Sequence, residues 1–380
     1  MSLPTARRSP LSVHVESDRP APTFFHRSDP LTPEGHRWKV FHPRREGAWP
    51  GFLENADGDR RYGLYEPETD GFRAVAPDGD PALAAAAPWF DRGEVVSYRV
   101  GRRATIRFGA GEDEAPRYAA VLPPGEAATL AEAARAVRAA RDVAPPDHPD
   151  VAPLLEAFPD QGVLVFGALR GSSLHDLVLG RRFDMDTVLP VVARSIAAFH
   201  ATPAEAVGVS TRSSGPRPDE FAALATMHFP DRREAYGFAL ERLERIPRQI
   251  GSPPGGCLVH GDLHDRNVLV SGRWVGLLDL AAVCAGHPAE DVGSLAAHLL
   301  LSTLMRGARV RTGRRVVRCL LRGYREAGGD IDSRHVSAAG AQTLFRLSCL
   351  YLFRRRWQGL TPALLDESVR WSNWARGHVA

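Results

Sequence analysis

His260-Gly261-Asp262-Leu263-His264-Asp265-Arg266-Asn267-Val268-Leu269-Val270, continued by Ser271-Gly272-Arg273-Trp274 and Val275-Gly276-Leu277-Leu278-Asp279, is the most informative stretch of this chain. It reads as a polar loop, a short apolar strand, a turn, and a second apolar strand ending in a carboxylate. Such a hairpin brings Asn267, at the start of one strand, close to Asp279, at the end of the other. Asp262 lies five residues before Asn267 on the feeding loop. Three polar side chains therefore converge at one mouth of an apolar hairpin. Phosphoryl transfer needs such a set. One carboxylate orients the acceptor hydroxyl and takes its proton, while an amide and a second carboxylate hold the magnesium that offsets charge on the phosphates.

The pattern HGDxxxxN, an apolar strand and Leu277-Leu278-Asp279 resembles the catalytic and metal-binding loops of the aminoglycoside phosphotransferase and choline kinase family. These loops are the counterparts of the HRDxxxxN and DFG segments of protein kinases. Further segments resemble the same family in the same order. Ile196-Ala197-Ala198-Phe199-His200 is similar to its helix end, Arg170-Gly171-Ser172-Ser173-Leu174 to the segment after its hinge, and Gly286-His287-Pro288-Ala289-Glu290-Asp291 to its next conserved-looking loop. Together they span about residues 93 to 300.

The resemblance implies an α+β, bilobal protein-kinase-like fold, with a small β-rich N-lobe and a mainly helical C-lobe. It implies Asp262 as catalytic base, Asn267 and Asp279 as ligands of Mg2+ (or Mn2+), and His260 and Asp291 as supports of the catalytic loop. The nucleotide, ATP or alternatively GTP, would meet the hinge Val165, Phe166, Gly167 and Ala168. Glu132, with Glu126 as second choice, would be the carboxylate of the N-lobe helix. The acceptor would be a hydroxyl-bearing small molecule or peptide.

Two departures matter: the lesser is Ala281, two places after Asp279, where relatives often carry an acidic residue or glycine, and the greater concerns a lysine. Relatives carry a lysine on the third N-lobe strand, where it grips the phosphates and pairs with the helix glutamate. Here Tyr118-Ala119-Ala120-Val121-Leu122-Pro123 puts Ala120 at that position, and the only lysine of the chain, Lys39, lies far upstream. Arg102, Arg103 and Arg107 are the nearest cations by chain position, and a guanidinium can fork onto two phosphate oxygens. A pseudokinase that binds without turnover is the competing reading. A metallohydrolase built on His260, Asp262 and His264 is the third, and it would need further ligands such as His287 or His298.

Working outward, residues 1–35 are rich in Pro, Ser and Arg and read as a flexible tail. Residues 36–91 form a β-containing extension, in which Arg61 to Tyr65 and Gly71 to Val75 flank a hairpin loop. Residues 92–168 read as strand, turn, strand, strand, helix, strand: the N-lobe. Residues 169–380 form the C-lobe, with helical periodicity from Met185 to His200 and from about Asp231 to Arg245. Farther on, Arg311, Arg314, Arg315, Arg318, Arg322 and Arg325 share one helix face, expected to be solvated.

The formal net charge of +3, from 48 basic and 45 acidic residues, is too small to argue for nucleic acid or a membrane surface as partner. Four cysteines without a CxxC pair fit free thiols rather than a zinc ribbon or disulfide scaffold. There is no signal-like apolar segment near Arg7 and Arg8 and no run of 18 apolar residues, so a cytoplasmic protein is expected.

Overall fold

The computed structural model describes residues 37–40, 44, 47–54, 60–66, 68–69, 71–109, 115–142, 144–180, 183–209, 217–250 and 256–377. The tail expected over residues 1–35 lies outside them.

Strands β1 (Arg37–Val40), β2 (Trp49–Glu54), β3 (Arg60–Glu66) and β4 (Gly71–Ala74) form an antiparallel meander in sequence order. The expected hairpin is its last pair, with Tyr65 opposite Phe72. Alternation along these strands feeds two cores. Trp49 and Tyr65 enter the core of the C-lobe, where the Trp49 ring lies edge-on to His228 at 4.9 Å and Phe353 at 5.5 Å. Tyr62 and Leu64 pack instead against the N-lobe core, with Tyr62 5.1 Å from Tyr98. One small sheet therefore touches both lobes. The following 3-10 turns, 77–79 and 81–92, bury Leu83, Ala86 and Trp89 in the N-lobe core.

The N-lobe sheet comprises β5 (Glu94–Arg99), β6 (Arg103–Phe108) and β7 (Arg117–Val121). Helix α1 (Pro124–Asp142) and the two-residue β8 (Asp150–Val151) precede β9 (Leu154–Phe158) and β10 (Val163–Gly167). Its order is β5-β6-β7-β10-β9. Strand β9 was not expected, because Leu154-Leu155-Glu156-Ala157-Phe158 lacks clean alternation and is bounded by Pro153 and Pro159. One sheet face carries Tyr98, Ala104, Ile106, Ala119, Val121, Val163 and Val165 into a core with Trp89. On the other face Leu164 packs with Leu122, Ala127 and Ala131 beneath α1.

The C-lobe contains β11 (Ser172–Ser173), α2 (Leu174–Leu179), α3 (Met185–His200), α4 (Ala204–Val207), α5 (Pro218–His228) and α6 (Arg233–Ile250). Strands β12 (Cys257–Val259), β13 (Val268–Ser271), β14 (Trp274–Leu277) and β15 (Cys284–Gly286) follow. Helices α7 (Pro288–Met305), α8 (Val310–Glu326), α9 (Ser333–Tyr351) and α10 (Thr361–Ala375) complete it. Helix α3 starts where the Asp184 side chain accepts the Asp186 amide, an N-cap that satisfies one of the first-turn donors. It buries Leu189, Val192, Ile196 and Phe199, spaced as a 3.6-residue period requires. The two lobes are thus β-rich and mainly helical, as the sequence implied. Among the described residues no helix is long and apolar enough to cross a membrane.

The arginine stripe on α8 is only partly a solvated face. Arg315 and Arg322 are exposed beside Asp186, but Arg314 turns inward and its Nε lies 3.1 Å from Oε2 of Glu367, a buried carboxylate on α10.

Candidate active site

The loop after β12 is held by one buried carboxylate. Asp291, in the first turn of α7, accepts the His260 amide at 2.6 Å and the Gly261 amide at 2.9 Å. It also accepts from His200 Nε2 at 3.1 Å, while Tyr324 Oη lies 2.8 Å from His200 Nδ1. Burial alone would raise the Asp291 carboxyl. The hydrogen bond from His200, the charges of His200 and His260 and the amide bond from His260 outweigh it and hold the group below its ordinary range.

Gly261 turns the chain with φ of +78°. A Cβ there would stand 2.1 Å from the Ala282 carbonyl oxygen, so the turn requires glycine twice over. His260 is buried and its Nε2 donates to the Leu278 carbonyl at 2.8 Å. The loop is thereby tied to the strand that carries Asp279.

Asn267 closes the other side. Its Nδ2 donates to the Asp262 carbonyl at 3.1 Å, and its own carbonyl accepts the Leu278 amide at 2.9 Å. The register of β13 and β14, with Val268 opposite Leu277, places Asn267 beside the end of β14 as the hairpin reading required. Asp279 follows in left-handed conformation, φ +59°, and is the only non-glycine residue with positive φ among the described residues. Such a conformation costs on the order of 1 kcal/mol and is retained where surrounding contacts over-determine it.

A second buried network was not anticipated. His175 on α2 donates from Nδ1 to Asp265 at 3.0 Å and receives Arg266 Nη2 on Nε2 at 2.6 Å, while Ser302 also donates to Asp265. It pins the middle of the loop to α2 and α7. The sequence offered only a lone histidine in an apolar helix, which has no partner until the fold supplies one. The His264 and His298 rings lie 5.1 Å apart at a tilt of 36°, and burial lowers both histidines toward the neutral form. With His260 bound to a carbonyl and His264 packed against His298, His260, Asp262 and His264 do not converge as metal ligands. Among the described residues no three His, Cys, Asp or Glu side chains form a metal group.

Across the cleft, the strand register decides which cations face the loop. Thr105 pairs with Ala120 and Arg99 pairs with Arg103. Ala104 and Ile106 are buried in the N-lobe core, so Arg103 and Thr105 alternate onto the opposite face, shared with Ala120. From there Arg103 Nη1 reaches Asp279 Oδ2 at 2.8 Å. Arg99 lies in the same field. Burial, then Arg103 and Arg102, push its guanidinium down to about 10, against the opposing pull of Asp262 and Asp279.

Three sequence-predicted residues are placed elsewhere. Arg107 sits at the open end of the hairpin and binds Glu94, about 13 Å along the strand from Arg103. Arg102 is exposed in the turn. Glu132 is exposed on α1, whose buried face is Ala127, Ala131, Ala134 and Val137. Beneath α1 the packing is small and apolar, with Ala127 and Ala131 against Leu122 and Leu164. In the segment expected to be the hinge, the Val165 side chain is buried in the N-lobe core, while Phe166, Gly167 and Ala168 are half-buried.

Comparison with known proteins gives one family. The model of the phosphotransferase enzyme family matches residues 99–328, more than half of the chain. No curated protein matches. Among solved structures, the chain is similar to a macrolide 2'-phosphotransferase from Brachybacterium faecium at 20% identity, covering 76% of this chain and 97% of that one with a TM-score of 0.44. A choline/ethanolamine kinase family protein from Mesorhizobium loti matches at 13% identity over 74% and 92%, TM-score 0.47. A glucosamine kinase matches at 19% identity over 92% and 95%, TM-score 0.42. Likeness this distant says nothing of substrate. The family match spans both lobes and the whole loop that carries Asp262, and on it the chain belongs to the phosphotransferase enzyme family, enzymes that act on hydroxyl acceptors.

Proposed function

We propose that the protein transfers the γ-phosphoryl group of ATP, or alternatively GTP, to a hydroxyl of a small molecule or peptide side chain. The observation that carries this reading is the arrangement of Asp262, Asn267 and Asp279 on a loop and hairpin locked by Asp291 and His260. In the reaction the acceptor oxygen forms a bond to the γ-phosphorus, the bond to the bridging oxygen breaks, and the nucleoside diphosphate leaves. The acceptor proton goes to the Asp262 carboxylate.

Asn267 and Asp279 offer an amide oxygen and a carboxylate, a hard donor set suited to Mg2+ or Mn2+. The guanidinium on Asp279 supports the fit, because it shows that this carboxylate faces a cation in the cleft. Asn267 and Asp279 would hold the ion, whose positive charge would offset that of the phosphates. The half-buried Phe166 to Ala168 segment would line the purine.

A second reading, binding without turnover, is favoured by Ala120 and by the exposed Glu132. Magnesium-nucleotide titration by calorimetry, followed by diphosphate release with a panel of sugars, amino sugars, amino alcohols and hydroxyl-bearing antibiotics, separates the two. Hydroxyl-dependent release that disappears in Asp262→Asn supports transfer. Tight nucleotide binding with no such release supports the second reading, and no magnesium-dependent nucleotide binding overturns the first.

A further inference from the structure

Ala120 leaves a phosphate site without its usual cation, and the sheet around it supplies two others. Arg103 stands diagonally across from Ala120 on the same face, a position where Cα atoms lie about 7–8 Å apart. A guanidinium is longer than an ammonium and can span that offset. Arg99 faces Arg103 directly across the β5–β6 pair. Two guanidinium groups so placed repel each other, and Arg103 adds to the burial that already lowers Arg99. An anion between them would relieve the repulsion.

The turn that joins the pair is itself fixed. The buried Asp80 carboxylate accepts the Gly101 amide at 2.6 Å and the Tyr98 hydroxyl at 2.7 Å, so the two arginines sit on a hairpin anchored from the extension. Arg103 then crosses the cleft to Asp279, a proposed metal ligand, at 2.8 Å. That contact is chemically temporary on the present reading. A single carboxylate cannot keep both a guanidinium and a divalent ion close without a further anion to balance them.

From this geometry we infer that Arg103, with Arg99 beside it, grips the nucleotide phosphates in place of the lysine, and that without nucleotide Arg103 is parked on Asp279 as its counter-ion. The inference rests on the nucleotide-dependent reading above and adds a device to it. Arg103 leaves Asp279 only when phosphates give it a better partner, so metal and nucleotide bind together rather than in sequence. Arg103 therefore opposes metal alone and favours metal with nucleotide. A purely structural arginine would not have these two opposite effects.

The test measures both on wild type, Arg103→Ala, Arg99→Ala and Arg315→Ala, the last an exposed arginine on α8. Mn2+ alone is titrated by electron paramagnetic resonance, and magnesium-ATP by calorimetry. Arg103→Ala should bind magnesium-ATP roughly tenfold more weakly, the scale of one charge-assisted bond, yet bind Mn2+ alone several-fold more tightly. Arg99→Ala should weaken magnesium-ATP without tightening Mn2+, and Arg315→Ala should change neither. Unchanged magnesium-ATP affinity in Arg103→Ala, or unchanged Mn2+ affinity, overturns the inference while wild-type nucleotide binding leaves the functional reading standing. Wild type that takes up no nucleotide overturns that reading and the grip with it.

Discussion

The carboxylate of Asp80 and the amide of Gly101 meet at 2.6 Å, joining the N-terminal extension to the turn between β5 and β6. Asp80 is buried, and it also holds the Tyr98 hydroxyl and caps the next 3-10 turn through the Ala82 amide. Residues outside the family match thereby set the geometry of residues inside it. Asp80→Ala leaves a backbone donor unpaired and should cost about 2 kcal/mol of stability. If Asp80 positions the arginine hairpin, magnesium-ATP affinity should also fall, by several-fold. Thermal unfolding and calorimetry on the same preparation check both. A lower melting temperature with unaltered affinity would limit Asp80 to a structural part.

Asp262 carries the proposed proton transfer, and its backbone is fixed independently through Asn267. Asp262→Asn preserves shape and removes the basicity. Turnover should drop by about two orders of magnitude or more, while magnesium-ATP affinity stays nearly the same. Steady-state rates compared with calorimetric affinity decide it, and an equal loss in both would point to a binding role.

Ala120 faces the cleft on β7, and the helix opposite presents alanines rather than a glutamate. Ala120→Lys adds a cation to the sheet face that Arg103 shares. Magnesium-ATP binding should tighten, by up to about tenfold, because the added ammonium meets phosphate in a partly dry site. The same titration reports the outcome. No change would mean that the arginines already saturate the phosphates.

His298 is buried against His264, with Arg346 and Arg354 adding positive charge and Asp265 opposing it, and its pKa falls well below 6.5. In the unfolded chain the same histidine protonates near its ordinary value, so below it the unfolded state binds the extra proton. Stability should therefore be complete above the ordinary histidine value and fall as pH drops beneath it, by about 1.4 kcal/mol per unit from this one group. Urea unfolding from neutral to mildly acidic pH measures the slope, and His298→Phe should flatten it. A slope equal in both proteins would assign the acid sensitivity to other groups.

Local sequence determined the loop and hairpin that carry Asp262, Asn267 and Asp279. Their register is set over fewer than twenty residues by a turn and two apolar strands, so it is legible without knowing what packs around them. The helical run from Met185 to His200 was legible for the same reason, since its apolar period is a local property. Which arginine faces the cleft was not. Arg99, Arg103 and Arg107 are all on two adjacent strands, but each side chain's exposure depends on what covers each sheet face and how the strands pair. Pairing within the β5–β6 hairpin set Arg107 against Glu94 and Arg99 against Arg103, whereas only tertiary packing aimed Arg103 at Asp279. Tertiary packing also turned Glu132 outward, because the alanine stripe of α1 packs closer to the sheet than a charged residue could. The division follows the range of the interactions: backbone pairing and periodicity act within a segment, whereas the direction of a charge is decided by neighbours brought from elsewhere in the chain.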